Sequence, residues 1–209
     1  MARLVSVNVG RPQPLGVRRG RTVRSAIVKA PVEGRVRVAG VNVDGDDQAD
    51  RRVHGGPDKA IYAYAREDAG WWESELGREL GAGAFGENLT VEGVDVSGAV
   101  IGERWRIGTA ELEVCQPRFP CFKLGLRMGD PKFLRRFTLA ERPGAYLRIR
   151  TEGEIGAGDA VEIADRPAHG VTIALVARAV MIDHELLTRA AAAPELPADL
   201  ADWMLERAA

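Results

Sequence analysis

Arg104-Trp105-Arg106-Ile107-Gly108-Thr109-Ala110-Glu111-Leu112-Glu113-Val114-Cys115-Gln116 is the stretch on which the fold class turns. Arg104 to Gly108 and Glu111 to Gln116 read as two strands, with Gly108-Thr109 as the hairpin turn between them. Outward from this pair, short strands recur on both sides. Ala2 to Val9, Arg24 to Val32, Val36 to Val43, Ala60 to Ala65 and Asn88 to Val91 precede it, punctuated by Gly34 and Gly40. Tyr146 to Arg150 and Ala160 to Ile163 follow, with a turn at Gly156-Ala157-Gly158-Asp159. Two helices interrupt the series. One begins near Arg66 and carries Trp71, Trp72 and Leu76; the other begins at Asp130-Pro131, carries Phe133, Leu134 and Phe137, and stops before Pro143-Gly144. Short strands with so few inserted helices predict a mainly β domain, a closed or nearly closed β-barrel, because closure leaves no long edge to pair with strangers.

Composition shifts at Asp165 to Gly170, and the Ala- and Leu-rich remainder has helical spacing over Thr172 to Val180, Asp183 to Ala192 and Ala198 to Arg207. The expected organisation is a barrel over residues 1–166 and a small three-helix domain over 167–209. Such short helices are unstable alone, so they fold back on the barrel or act as a docking module.

The 209 residues are 45% hydrophobic and 28% charged, an ordinary globular balance that excludes disordered and fibrous classes. Lys plus Arg number 29 against 30 acids, so no global basic field points to nucleic acid. No run approaches the ~20 apolar residues of a membrane span, and Met1 to Gly10 lacks a signal-peptide core, so the expectation is a soluble, cytoplasmic protein with no membrane partner. Its two cysteines should then be reduced.

Several motifs are imitations. Gly81, Gly83 and Gly86 spell G-x-G-x-x-G, but a helix precedes them and a strand follows, the reverse of a dinucleotide site. Asp44 to Gly55 starts like a calcium loop yet has Ala49 and Gly55 where Gly and Glu are required. His184-Glu185 opens a zincin motif that Thr188 ends. Arg18, Arg19, Arg21 and Arg24 form a basic cluster that reads as a solvated face, with phosphate contact as the alternative.

Four stretches are not imitations. Gly45 to Asp50 runs into His54-Gly55-Gly56-Pro57-Asp58-Lys59-Ala60, where paired glycines beside His and Lys offer N–H groups and positive charge to an oxyanion. Phe85-Gly86-Glu87-Asn88-Leu89 puts polar groups at the mouth of a strand, and Lys29 is out of place in a barrel strand unless it reaches a ligand. In Cys115-Gln116-Pro117-Arg118-Phe119-Pro120-Cys121-Phe122-Lys123-Leu124, two prolines hold a rigid loop. Arg118 and Lys123 flank Cys121 there and favour its thiolate, the form that binds a soft metal or attacks an electrophile. Cys115 ends an apolar strand and reads as an inert buried thiol.

With these stretches and Ile101-Gly102 in this order, the chain resembles the MOSC-domain family, and specifically its YiiM-like branch; Val171 to Val180 and Leu186-Leu187 resemble the helical domain that follows there. Glu103 departs from the Gly-Asp pair common after that isoleucine. The resemblance implies a β-barrel cradling a pterin-based molybdenum cofactor of the molybdopterin type. The family's invariant cysteine falls on Cys121; in relatives that reduce N-hydroxylated substrates it ligates molybdenum. YiiM-like proteins are linked to resistance to base analogues such as 6-hydroxylaminopurine.

The resulting expectation is a molybdenum-dependent reductase of N-hydroxylated small molecules, with Cys121 as metal ligand and catalytic residue. His54 would bind phosphate or relay a proton, and Lys29, Gly55, Gly56, Lys59, Asn88, Arg118 and Lys123 would bind the cofactor. Arg118 has a second reading, pinning its loop to a carboxylate such as Glu87. With no flavin or nicotinamide fingerprint and too few cysteines for an iron–sulfur cluster, electrons would come from a separate flavin or iron–sulfur protein. Two alternatives stay open: a sulfur-transfer protein holding a persulfide on Cys121, and a non-catalytic carrier of the cofactor.

Overall fold

A computed structural model describes residues 1–47 and 55–209. Its strands are β1 (Arg3–Val9), β2 (Gln13–Arg18), β3 (Arg21–Ser25), β4 (Ala30–Pro31), β5 (Arg35–Ala39), β6 (Asn42–Val43), β7 (Ile61–Ala65), β8 (Leu89–Glu92), β9 (Arg104–Ile107), β10 (Ala110–Pro117), β11 (Ala145–Thr151), β12 (Gly153–Gly156) and β13 (Val161–Asp165). The helices are α1 (Arg66–Leu76), α2 (Phe122–Met128), α3 (Phe133–Leu139), α4 (Ile173–Met181), α5 (Leu187–Ala190) and α6 (Ala198–Ala208). No helix among the described residues is long and apolar enough to cross a membrane.

The protein is mainly β with helical additions. Eight strands form one sheet in the order β13-β9-β10-β11-β7-β8-β1-β4; β12-β5-β6 and β2-β3 form two smaller sheets. The hairpin read first is present as β9 and β10, with Ala110 opposite Ile107 and Leu112 opposite Trp105. β7 and β8 pair in parallel, which a tight turn cannot connect, and α1 lies in the crossover. Among the described residues the ladder does not close fully into a barrel. Instead, main-chain bonds from Leu4 N to Asp159 O (2.8 Å), Gly158 N to Leu4 O (2.8 Å) and Val161 N to Ala2 O (3.1 Å) draw β1 and the β13 edge together across a seam.

Four local expectations need correction. The strand expected over Arg24 to Val32 breaks after Ser25 and resumes only at Ala30, so Lys29 stands in an irregular segment. The loop expected through Leu124 is already helical at Phe122, the start of α2. Asp130 and Pro131 form a turn before α3, where the Asp130 carboxylate accepts from Lys132 N at 2.8 Å. β2 and β12 were not anticipated; Pro14, Gly16 and Gly153 weaken any strand signal there.

Two apolar clusters build the interior. The larger joins the sheet's inner face to the tail: Val171, Ile173, Val176, Leu187, Leu196 and Met204 pack in the same cluster as Trp105, Leu112 and Leu147. The tail helices thus fold back on the sheet, with Thr172 Oγ1 capping α4 by accepting from Leu175 N at 3.1 Å. The second cluster is aromatic: Tyr62, Tyr64, Trp72, Phe85, Phe133 and Phe137 bind α1 and α3 to β7. Tyr64 stacks on Phe85 at 4.3 Å, and Trp72 Nε1 donates to the Tyr64 hydroxyl at 3.0 Å. That cluster backs the wall described next.

Candidate functional site

The segments that follow β3, precede β8 and follow β10 converge beside Tyr62 of β7 and Tyr146 of β11, which are direct cross-strand partners. Between them opens a cleft of about 650 Å³, solvent mouth included. Lys29, Gly55, Lys59, Asn88, Arg118, Cys121 and Lys123 all line it. Chain positions up to 94 residues apart in sequence, from Lys29 to Lys123, therefore meet as the sequence predicts. Gly56 begins the 3₁₀ turn Pro57–Lys59 with φ 89° and is not among the lining residues. His54 lies outside the described residues.

Lys29 and Asn88 are committed to a buried carboxylate that the sequence reading did not assign. Both lines of contact end on Asp46: the Lys29 ammonium pairs with it, Asn88 Nδ2 donates to Oδ2 at 2.9 Å, and Gly10 N donates to Oδ1 at 2.7 Å. The Lys29 and Asp46 side chains are 8% and 2% exposed. Burial lowers the Lys29 pKa from its ordinary value, against the opposing pull of Asp46. Asn88 also accepts from Tyr62 N at 3.2 Å and donates to Asn8 O at 3.2 Å. This polar floor ties β1 and β7 to the segments that precede β4 and β8.

The false dinucleotide motif has its own task. Gly83 and Gly86 both have φ +80°; a Cβ on Gly83 would stand 2.7 Å from Lys29 O, and one on Gly86 2.6 Å from Ile27 Cγ1. Glycine there lets the turn abut the cleft wall. Glu87 holds that turn, accepting from Gly83 N (2.7 Å), Phe85 N (3.0 Å) and the Thr90 hydroxyl (3.0 Å). Burial raises the Glu87 carboxyl above the usual range, and the main-chain donors pull it partly back. With those oxygens taken by the turn, Glu87 is not the carboxylate that pins Arg118.

Arg118 instead lies buried, 6% exposed, with its guanidinium 5.4 Å from the Tyr62 ring centre and 5.8 Å from that of Phe137. Its Nη1 is a buried donor with no hydrogen-bond partner. An unmet donor of this kind in a cleft wall is where an acceptor from outside the chain can bind. The Cys121 sulfur and the Tyr146 hydroxyl both fall within the electrostatic reach of Arg118. Burial raises the phenols of Tyr62 and Tyr146 above their ordinary value, so both remain neutral donors at neutral pH.

Cys121 is half-buried and extended (φ −119°), the last residue before α2. Cys115, six residues earlier, is 0% exposed; its thiol donates to Asp58 O at 2.9 Å and burial pushes its pKa far up. The reading of Cys115 as inert and buried matches this placement. Tyr62, Tyr146 and Asp46 are among the cleft residues that sequence reasoning missed. The tyrosines acquire their place only from the β7–β11 pairing, a contact between positions 62 and 146 that no local pattern encodes. Among the described residues no group of three or more His, Cys, Asp or Glu could hold a metal ion alone.

Comparison with known proteins bears on what this cleft is. The family profile described as "MOSC domain" matches residues 50–162. An uncharacterized protein of Bacillus subtilis, YflK, is 36% identical over 185 residues, covering 88% of this chain and 83% of its own. A protein of Gibberella moniliformis named "Reductase" is 31% identical over 182 residues; 85% of this chain matches, but only 32% of that longer protein. Among solved structures, YiiM from Geobacillus stearothermophilus superposes with a TM-score of 0.82 at 30% identity, covering 100% of both chains.

Proposed function

The chain belongs to the MOSC-domain family and is YiiM-like, and from that premise we propose that it binds a molybdopterin-type molybdenum cofactor and reduces N-hydroxylated compounds to amines. The observation that carries the proposal is a single cleft holding the Cys121 thiol beside Arg118, whose buried Nη1 lacks an acceptor. The donor set fits the group. A soft thiolate suits molybdenum, the missing acceptor at Arg118 suits an anionic pterin substituent, and the remaining coordination would be the cofactor's own.

In this proposal Cys121 is the protein's ligand to the metal. Arg118, Lys59 and Lys123 take the cofactor's anionic end through charge-assisted bonds worth roughly 1.5–3 kcal/mol each. When bound, the molybdenum group supplies two-electron reduction of an N–O bond. Lys29, Asp46 and Asn88 fix the floor. Tyr146, neutral and lining the cleft, would donate its hydroxyl proton as water leaves the substrate. His54 is the further proton carrier of the proposal, and Gly55 presents a main-chain N–H group. On the same reading residues 1–166 are the MOSC barrel, residues 167–209 are a helical domain, and a separate cytoplasmic flavin or iron–sulfur protein supplies electrons.

The test is turnover. Protein produced in a host that makes the cofactor, reduced chemically, should convert 6-hydroxylaminopurine to adenine, and Cys121→Ser should not. Sulfane sulfur on Cys121, with molybdenum absent and no turnover, would establish sulfur transfer instead.

A further inference from the structure

The hairpin β2–β3 is set apart from the main sheet and carries its charge in an unfavourable way. Arg18 and Arg21 are direct cross-strand partners, and Arg19 sits at the tip with φ 50°, in the left-handed region that disfavours a side chain. Like charges placed opposite each other destabilise a strand pair. Among the described residues no carboxylate pairs with Arg18, Arg19 or Arg21, and all three are exposed. This occurs in a chain whose overall charge is −1, so the clustering is local.

These arginines share a groove with two apolar side chains. Arg18, Arg19, Arg21, Val23 and Phe122 line one groove, and the Arg18 guanidinium lies 4.0 Å above the centre of the Phe122 ring, which restricts where it can point. The groove is continuous in chain with the cleft at two places. Phe122 is bonded to Cys121 and Lys123, and β3 ends at Ser25, the first residue of the cleft wall. Three arginines lining one groove, none of them paired with a carboxylate among the described residues, form a site for a dianion, since arginine matches phosphate oxygens with paired donors.

We infer that this groove binds the phosphate of the substrate, so that the N-hydroxylated compound accepted at Cys121 is a phosphate monoester of nucleotide type rather than a free base. The inference rests on the N–OH reduction proposed above. A phosphate could also come from the cofactor, so the experiment separates the two sources and is read partly without turnover.

Binding of AMP, adenosine and inorganic phosphate to the cofactor-loaded protein is measured by calorimetry at two salt concentrations, for wild type and for the double variant Arg18→Gln/Arg21→Gln. Thermal melts and molybdenum content check that the variant is folded and loaded. The expected result is AMP binding at least tenfold tighter than adenosine, weakened about tenfold in the variant and by added salt. With hydroxylated substrates, the ratio of kcat/KM for the 5′-monophosphate of 6-hydroxylaminopurine riboside to that for the free base should fall from tenfold or more to about one. AMP bound equally by both proteins, or by neither, overturns the inference. So does loss of molybdenum from the variant, which assigns the groove to the cofactor's phosphate. Arginine-dependent AMP binding with no turnover of either hydroxylated compound would uphold the groove and sink the reductase reading.

Discussion

Two cysteines six residues apart on one segment show how much of a thiol's chemistry is decided by its surroundings. Cys115 lies within β10, 0% exposed, its hydrogen directed at the carbonyls of Asp58 and Tyr146, and burial holds it in the thiol form. Cys121 lies past the two prolines, half-buried, at the wall of a cleft and within the field of a buried guanidinium. The short stretch Gln116 to Pro120 carries the chain from core to cleft. What separates an inert sulfur from a candidate ligand is therefore the loop between them, not the residue type.

The comparison can be broken by substitution. The largest effect belongs to Cys121→Ser, which should abolish reduction of N-hydroxylated substrate while shifting the thermal midpoint little. Equal activity in that variant would refute the assignment. Next is the polar floor: Asp46→Asn leaves the Lys29 ammonium buried without its counter-charge, a change expected to destabilise the protein by about 3–5 kcal/mol in urea unfolding. A loss below about 1 kcal/mol, the range of surface pairs, would show that the pair is not buried in solution. Lys59→Met should release the cofactor about tenfold more readily, in line with one lost charge-assisted bond of roughly 1.5 kcal/mol; unchanged molybdenum occupancy would remove that lysine from the site.

Cys115→Ser should leave turnover intact and lower stability by only about 1–3 kcal/mol, because a hydroxyl is harder to bury than a thiol but keeps the bond to Asp58. The smallest effect is one of pH. Burial raises the Glu87 carboxyl above its unfolded value of about 4.5, so the folded chain holds that proton to higher pH. The contribution to stability is full below the unfolded pKa and is lost as pH rises through the folded one. Glu87→Gln should flatten that limb of the stability–pH curve, and an unaltered slope would mean the carboxylate is already ionised throughout.

The residues that touch the cleft were legible because their types are out of place in their local context. Lys29 in an apolar run, Cys121 between cations and Gly55-Gly56 beside lysine each signal a demand that a strand or turn does not make. What was illegible depends on long-range pairing. Tyr62 and Tyr146 look like ordinary strand residues until β7 and β11 are set side by side, and Asp46 looks like a turn residue until Lys29 is brought to it. The strands with strong alternation, β1, β9, β10 and β11, stood out. β2 and β12, interrupted by proline and glycine, did not, and neither did the helix that starts directly at Phe122. The seam between β1 and the β13 edge rests on main-chain bonds that carry no side-chain signature at all.

On the proposed function Cys121, and not Cys115, is the thiol that holds the metal. Molybdenum per chain, measured by elemental mass spectrometry on protein from a cofactor-producing host, tests it directly. Near-stoichiometric metal is expected in wild type and in Cys115→Ser, and little or none in Cys121→Ser. Metal retained in Cys121→Ser, or lost in Cys115→Ser from a folded protein, would contradict it.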